Sequence, residues 1–101
     1  MKFILHNKLY NTDTAKKVAE IDNGYFTDDM RYFSHTLYLK KTGEYFLFTY
    51  GAPMTGFAET KGDRKTYGYR ITPFTEEQAQ KWAMNELDAE QYIELFGEVE
   101  E

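Results

Sequence analysis

Ser34 is the only serine in the chain, and His35 follows it directly. A serine nucleophile needs its base within hydrogen-bond reach, whereas neighbouring residues of a strand point to opposite faces. His35 therefore cannot serve Ser34, and His6 could do so only if the first strand converged there. The two histidines lack HxH or HExxH spacing, and Asp28-Asp29 lacks the alternating Asp/Asn and Gly of a calcium loop, so no metal site is expected. With no cysteine, thiolate catalysis, Cys-rich zinc sites, disulfides and sulfur redox switches are all removed. The glycine segments Gly51 to Gly56 and Gly62 to Thr66 lack the Gly-Lys-Thr order and following helix of a phosphate loop, and turns explain them. A metal-dependent hydrolase or nuclease using Asp28, Asp29, His35 or Glu44 is the weakest reading. A carboxylate pair for glycoside hydrolysis fits the acids less well than capping and solvated roles do. No catalytic residue and no cofactor is assigned.

Charge is more informative than nucleophiles. Residues 1 to 75 carry 11 bases and 8 acids, a surplus of +3, while residues 76 to 101 carry one base, Lys81, and nine acids, a deficit of −8. Such segregation lets one domain offer an acidic face to a basic partner and a basic face to an acidic one. The candidate acidic face is Glu86, Asp88, Glu90, Glu94, Glu98, Glu100 and Glu101. Helix first turns account for part of the excess, because the dipole favours Glu76, Glu77, Asp88 and Glu90 there. The alternative basic face is Arg31, Lys40, Lys41, Lys61, Arg64, Lys65 and Arg70, interleaved with aromatics at Arg31-Tyr32-Phe33 and through Tyr67 and Tyr69. Cations beside exposed rings hold phosphates and stack bases. Against that use, nine tyrosines and eight phenylalanines must mostly build the core, and no RNP-like motif is present.

These faces need elements to position them. At 101 residues and 42% hydrophobic composition, the expectation is one domain over residues 1–101 that folds without staples. No run approaches the roughly 20 apolar residues of a membrane span, and residues 1 to 6 are too short for a signal peptide, so no membrane partner is expected. Lys2 to Leu5 reads as a strand and His6-Asn7-Lys8 as a turn. Ala15, Val18, Ala19 and Asp22 fall at i, i+3, i+4 and i+7 behind the possible caps Asn11 to Thr14, which predicts a helix over about Asp13 to Asp22, stopped at Asn23-Gly24. Tyr25 to Phe33 reads as a loop. Ser34 to Lys41 and Glu44 to Tyr50 flank Thr42-Gly43 as a hairpin. The second of these strands is apolar on both faces and should lie centrally under a helix. Lys65 to Ile71 is a further strand, with Tyr67, Tyr69 and Ile71 on one face, ended by Pro73. Thr75-Glu76-Glu77-Gln78 and Asp88-Ala89-Glu90-Gln91 are capping boxes. They open two helices, the second with Tyr92, Ile93 and Phe96 inward and Gly97 at its end. The fold class is α+β: a small antiparallel sheet, the central hairpin about 34–50 plus a strand about 65–71, packed by an N-terminal helix and two C-terminal helices.

Tyr10-Asn11-Thr12-Asp13-Thr14-Ala15, Asp22-Asn23-Gly24, Leu37 through Leu47 and Ile71 through Ala79 together resemble a family of small proteins carried by phages and mobile elements of Gram-positive bacteria. The resemblance covers nearly the whole chain, but its motifs are strand, turn and cap residues. Members often carry a Gly-Glu-Gly-Gly-Ala-like run after the central strand, where this chain has Tyr50-Gly51-Ala52-Pro53-Met54. The resemblance implies a counter-defence role, including anti-CRISPR inhibition, in the cytoplasm of the bacterial host cell. Such a protein blocks the nucleic-acid channel of a CRISPR nuclease or its guide-RNA complex, its acids competing for the bases that hold RNA or DNA. The rival is a module that grips RNA or a protein through the hairpin and loop 61–70.

Overall fold

The structure, a computed structural model, describes residues 1–100. Its centre is a four-stranded antiparallel sheet in the order β3-β4-β5-β8, formed by β3 (Lys16–Asp22), β4 (Phe33–Leu39), β5 (Tyr45–Gly51) and β8 (Gly68–Phe74). The β4–β5 hairpin turns at Gly43, whose φ of +92° is open to glycine at little cost. Because side chains alternate, the register sorts β5 into two faces. Tyr45, Leu47 and Thr49 face one side, and Phe46, Phe48 and Tyr50 the other. This strand is indeed central, and it needs apolar residues on both faces because both are covered.

The first face is covered by α1 (Glu76–Glu86) and α2 (Ala89–Phe96). Leu37, Leu47 and Ala79 form the core there, with Val18, Ala19, Phe74, Trp82 and Phe96 packed around it. Both capping boxes form: Thr75 Oγ1 accepts from the Gln78 amide at 3.1 Å, and Asp88 Oδ1 accepts from the Gln91 amide at 2.9 Å. The opposite face is capped at one end by a separate hairpin, β1 (Lys2–Leu5) and β2 (Lys8–Asn11). Phe3 meets Phe48 at 5.9 Å and Tyr10 meets Phe46 edge-on at 5.3 Å. A second ribbon, β6 (Glu59–Lys61) and β7 (Arg64–Thr66), stands out from the sheet and packs mainly on itself. It helps to raise the radius of gyration to 14.9 Å, against about 13 Å for a compact chain of this length.

Four expectations are corrected. The stretch 13–22 is not an N-terminal helix; most of it is β3, and both helices are C-terminal. The register of β3 against β4 shifts between Lys17 and Ala19, so Val18 is a bulge residue. Val18 and Ala19 then both reach the core, and Ile21, opposite His35, shares that face. A bulged strand thus shows apolar residues at a spacing close to one helical face. Pro73 does not end its strand: β8 runs on to Phe74 because it is an edge strand, where a missing N–H costs no ladder bond. The segment 65–71 is not one strand but the end of β7 and the start of β8, broken at Tyr67. Ile93 is not inward but 42% exposed.

Candidate interaction surfaces

The helical layer carries the acids. Glu76, Glu77, Glu86, Asp88, Glu90, Glu94, Glu98 and Glu100 are all exposed, and Glu101 lies outside the described residues. The sheet side differs in part, since four of its eight acids find cations. Asp13 meets the N-terminal amine at 3.2 Å, Glu20 meets Lys17 at 3.2 Å and Asp29 meets Arg31 at 2.9 Å. Glu44 meets Lys8 at 2.7 Å and Lys40 at 3.7 Å. Hydrogen bonds from these cations hold the Asp29 and Glu44 carboxyls below the usual carboxylate range. Among the described residues, no acid of the helical layer forms an ion pair.

Local physics accounts for only half of that layer. Glu76, Glu77 and Glu90 lie in first turns and Asp88 is a cap, where negative charge is favourable. Glu86 and Glu94 sit in last turns that hold no base, where the dipole opposes them. Glu94 also stands one turn from Glu90, a like-charge i,i+4 pair that weakens a helix. In the same layer Met84, Leu87, Ala89, Tyr92, Ile93 and Val99, with the cap Asp88, line a shallow hollow of about 300 Å³. Sequence reasoning missed this hollow, because it turned Ile93 inward and left Met84 and Val99 unassigned. The signal was there in part: Met84 lies off the Ala79-Ala83 stripe that α1 buries.

The seven bases of the alternative face are divided among separate places. Arg31 is held by Asp29 and lies 4.3 Å over the Tyr25 ring. Lys40 packs 4.0 Å over Tyr10, its side chain only 13% exposed, and Lys41 is beside it at the β4–β5 turn. Lys61, Arg64 and Lys65 are on the ribbon, beyond the far end of β5, roughly 20 Å of extended chain away. Arg70 belongs to the helix face, opposite Thr49 in register, and lies 5.3 Å from the Phe57 ring.

On the other face, beyond the reach of the β1–β2 hairpin, tyrosines form a terrace. Tyr50 stacks with Tyr67 at 5.7 Å and 18°, and Tyr69 stacks on Phe48 at 5.9 Å and 28°. Tyr32 closes the row against Tyr50 at 6.0 Å. Alternation put Tyr67, Tyr69 and Ile71 on one face, and the register agrees for Tyr69 and Ile71. What alternation could not tell is which aromatic rings the hairpin covers.

The residues considered for catalysis do not converge. Ser34 and His35 point to opposite faces, opposite Tyr50 and Thr49 respectively. His35 Nδ1 lies 2.7 Å from Thr49 Oγ1, but Thr49 is 2% exposed and its hydroxyl is closed to any substrate. The rings of Phe33 and Phe57 meet His35 edge-on at 5.5 and 5.4 Å. Burial lowers the His35 pKa and the Arg70 charge adds to this, against an opposing pull from Glu86. His6 is exposed in the β1–β2 turn. Asp29 and Glu44 are tied to their own cations, and among the described residues no three of His, Asp and Glu stand close enough to hold a metal ion.

Comparison with known proteins finds no family model that matches the chain, no similar curated protein and no similar solved structure. Among the described residues, no helix is long and apolar enough to cross a membrane.

Proposed function

We propose that this chain is a binding protein that lays its acidic helical layer on a strongly basic surface of a macromolecular partner, a surface that otherwise holds nucleic-acid phosphates. One observation carries the reading: Glu86 and Glu94 are exposed, have no cation partner among the described residues, and sit where the helix dipole disfavours them. Charges kept against local preference are explained by a partner that neutralises them. The largely apolar hollow in the same layer, bordered by Asp88, would supply the desolvated centre that a charged rim alone lacks. The partner that the family resemblance implies is a CRISPR nuclease or its guide-RNA complex, and the role is that of a phage inhibitor occupying its nucleic-acid channel.

The test is target-DNA cleavage by guide-loaded nucleases of Gram-positive hosts, titrated with the wild-type chain and with Glu86→Lys/Glu94→Lys/Glu98→Lys. The wild type should suppress cleavage by one nuclease near equimolar ratio, and the variant should need at least about a hundredfold more protein, as for two or more lost charge contacts. Full cleavage by every nuclease in excess wild type overturns the target. Undiminished suppression by the variant overturns the acidic layer as the contact.

A further inference from the structure

The ribbon contains an arrangement that its own fold does not explain. In the β6–β7 register Lys61 stands directly opposite Arg64, two like charges on one exposed face, a pairing that weakens an isolated ribbon. Lys65 follows Arg64 but pairs with Thr60, so it leaves the ribbon from the other face, and among the described residues none of the three forms an ion pair. With Thr66 they line a hollow of about 260 Å³. Glu59 and Asp63 belong to the same ribbon, yet neither is drawn across to the cations. An anion between Lys61 and Arg64 would remove their repulsion.

The chain leads from this cationic pair straight to the tyrosine terrace. Arg64 is three residues from Tyr67, roughly 10 Å of extended chain, and β8 begins at the next residue. Tyr67 and Tyr69 are 40% and 41% exposed. Their inner faces are taken by Tyr50 and Phe48, and because β8 is a sheet edge their outer faces are open. Open aromatic faces beside unpaired cations match a strand whose bases are unstacked, not a duplex whose bases are covered.

We propose that the β6–β7 ribbon and the adjoining tyrosines form a track for single-stranded nucleic acid, phosphates on Lys61, Arg64 and Lys65, bases on Tyr67 and Tyr69. The tyrosine part of the track lies on the sheet face opposite the helices. At physiological ionic strength the Debye length is about 8 Å, less than the thickness of a packed helix and sheet, so the acids weaken but do not abolish the attraction. Affinity is expected in the range of about 1–100 µM, without base preference, since every base has a face and tyrosine reads none of its edges here. This surface is independent of the acidic layer and requires no protein partner for its test.

Fluorescein-labelled rU12 and dT12 are titrated with the full chain and followed by anisotropy from 25 to 250 mM NaCl. Three phosphate contacts give a log–log salt slope of about −2. Lys61→Glu turns the like-charge pair into a complementary one. It should leave the fold intact, weaken binding at least tenfold and flatten the slope to about −0.7, since it removes one contact and occupies Arg64. Tyr67→Ala/Tyr69→Ala should weaken binding at least tenfold with the slope unchanged, because stacking releases no counterions. No anisotropy change at 25 mM NaCl with 200 µM protein overturns the proposal, and so do wild-type titrations from both variants.

Discussion

Glu86→Lys/Glu94→Lys/Glu98→Lys removes three acids from the proposed contact face, yet it should make the isolated protein more stable. Glu86 ends α1 and Glu94 lies in the last turn of α2, and neither last turn contains a base. Cations near a helix C-terminus gain about 0.3–1 kcal/mol each, and the acids now there forgo a similar amount. The change at position 94 also converts the repulsive Glu90–Glu94 pair into Glu–Lys at i,i+4 in the favourable order, adding about 0.2–0.5 kcal/mol. Glu98 follows the Gly97 cap and contributes little. Because both sites are exposed, the low end of these ranges applies, and the sum of about 1.4 kcal/mol raises the Tm of a domain of this size by about 6–11 °C. Each reversal adds two positive charges, so the formal net charge moves from −5 to +1. Thermal melts at pH 7 in 20 mM and 500 mM NaCl measure both the gain and its screening, and most of the gain should vanish at high salt. A Tm lower than wild type at 20 mM NaCl would refute the reasoning, because Glu86 or Glu94 would then be holding the fold together. Stability gained while partner binding is lost is the pattern expected of charges kept for a partner.

Asp88→Ala is the contrasting change in the same layer: it deletes the oxygen that accepts from the Gln91 amide and should cost about 1 kcal/mol, seen as a Tm about 4–8 °C lower. Gly68→Ala should destabilise by about 2–3 kcal/mol in urea unfolding, since a Cβ there would overlap the Phe57 carbonyl, while Gly56→Ala meets nothing within 4 Å and should be close to neutral. Equal midpoints for the two glycine variants would show that the 52–58 loop yields freely. His35 carries a pH dependence: burial, then Arg70, hold its pKa below the ordinary 6.5, with Glu86 opposing. The unfolded chain therefore takes up its proton first, so this stability is present in full above about pH 6.5 and is lost as pH falls through 6.5 and on through the folded-state value. An NMR titration of the His35 ring with its midpoint at or above 6.5 would contradict this, and His35→Gln should flatten the stability slope between pH 4.5 and 7.

The features legible in the sequence are those set by near neighbours. The β4–β5 hairpin follows from aromatic and branched runs around Thr42-Gly43, and both helices begin at their capping boxes, because each cap and its reciprocal partner are only three residues apart. The charge split is a property of chain order, and it became an acidic layer once both helices packed on one side of the sheet. Partners distant in the chain decided the rest. Val18, Ala19 and Ile21 suit a helix until β4 offers an open edge and a bulge turns the first two toward the same core. Pro73 is allowed only because nothing pairs beyond β8, and Tyr67 and Tyr69 stay open because the β1–β2 hairpin covers Phe46 and Phe48 instead. Lys8 and Lys40 look like free cations in sequence, but folding brings Lys8 onto Glu44 and Lys40 over the Tyr10 ring. Local geometry is written in adjacent residues, whereas exposure and ion pairing depend on which distant surface arrives, and only the folded chain supplies that.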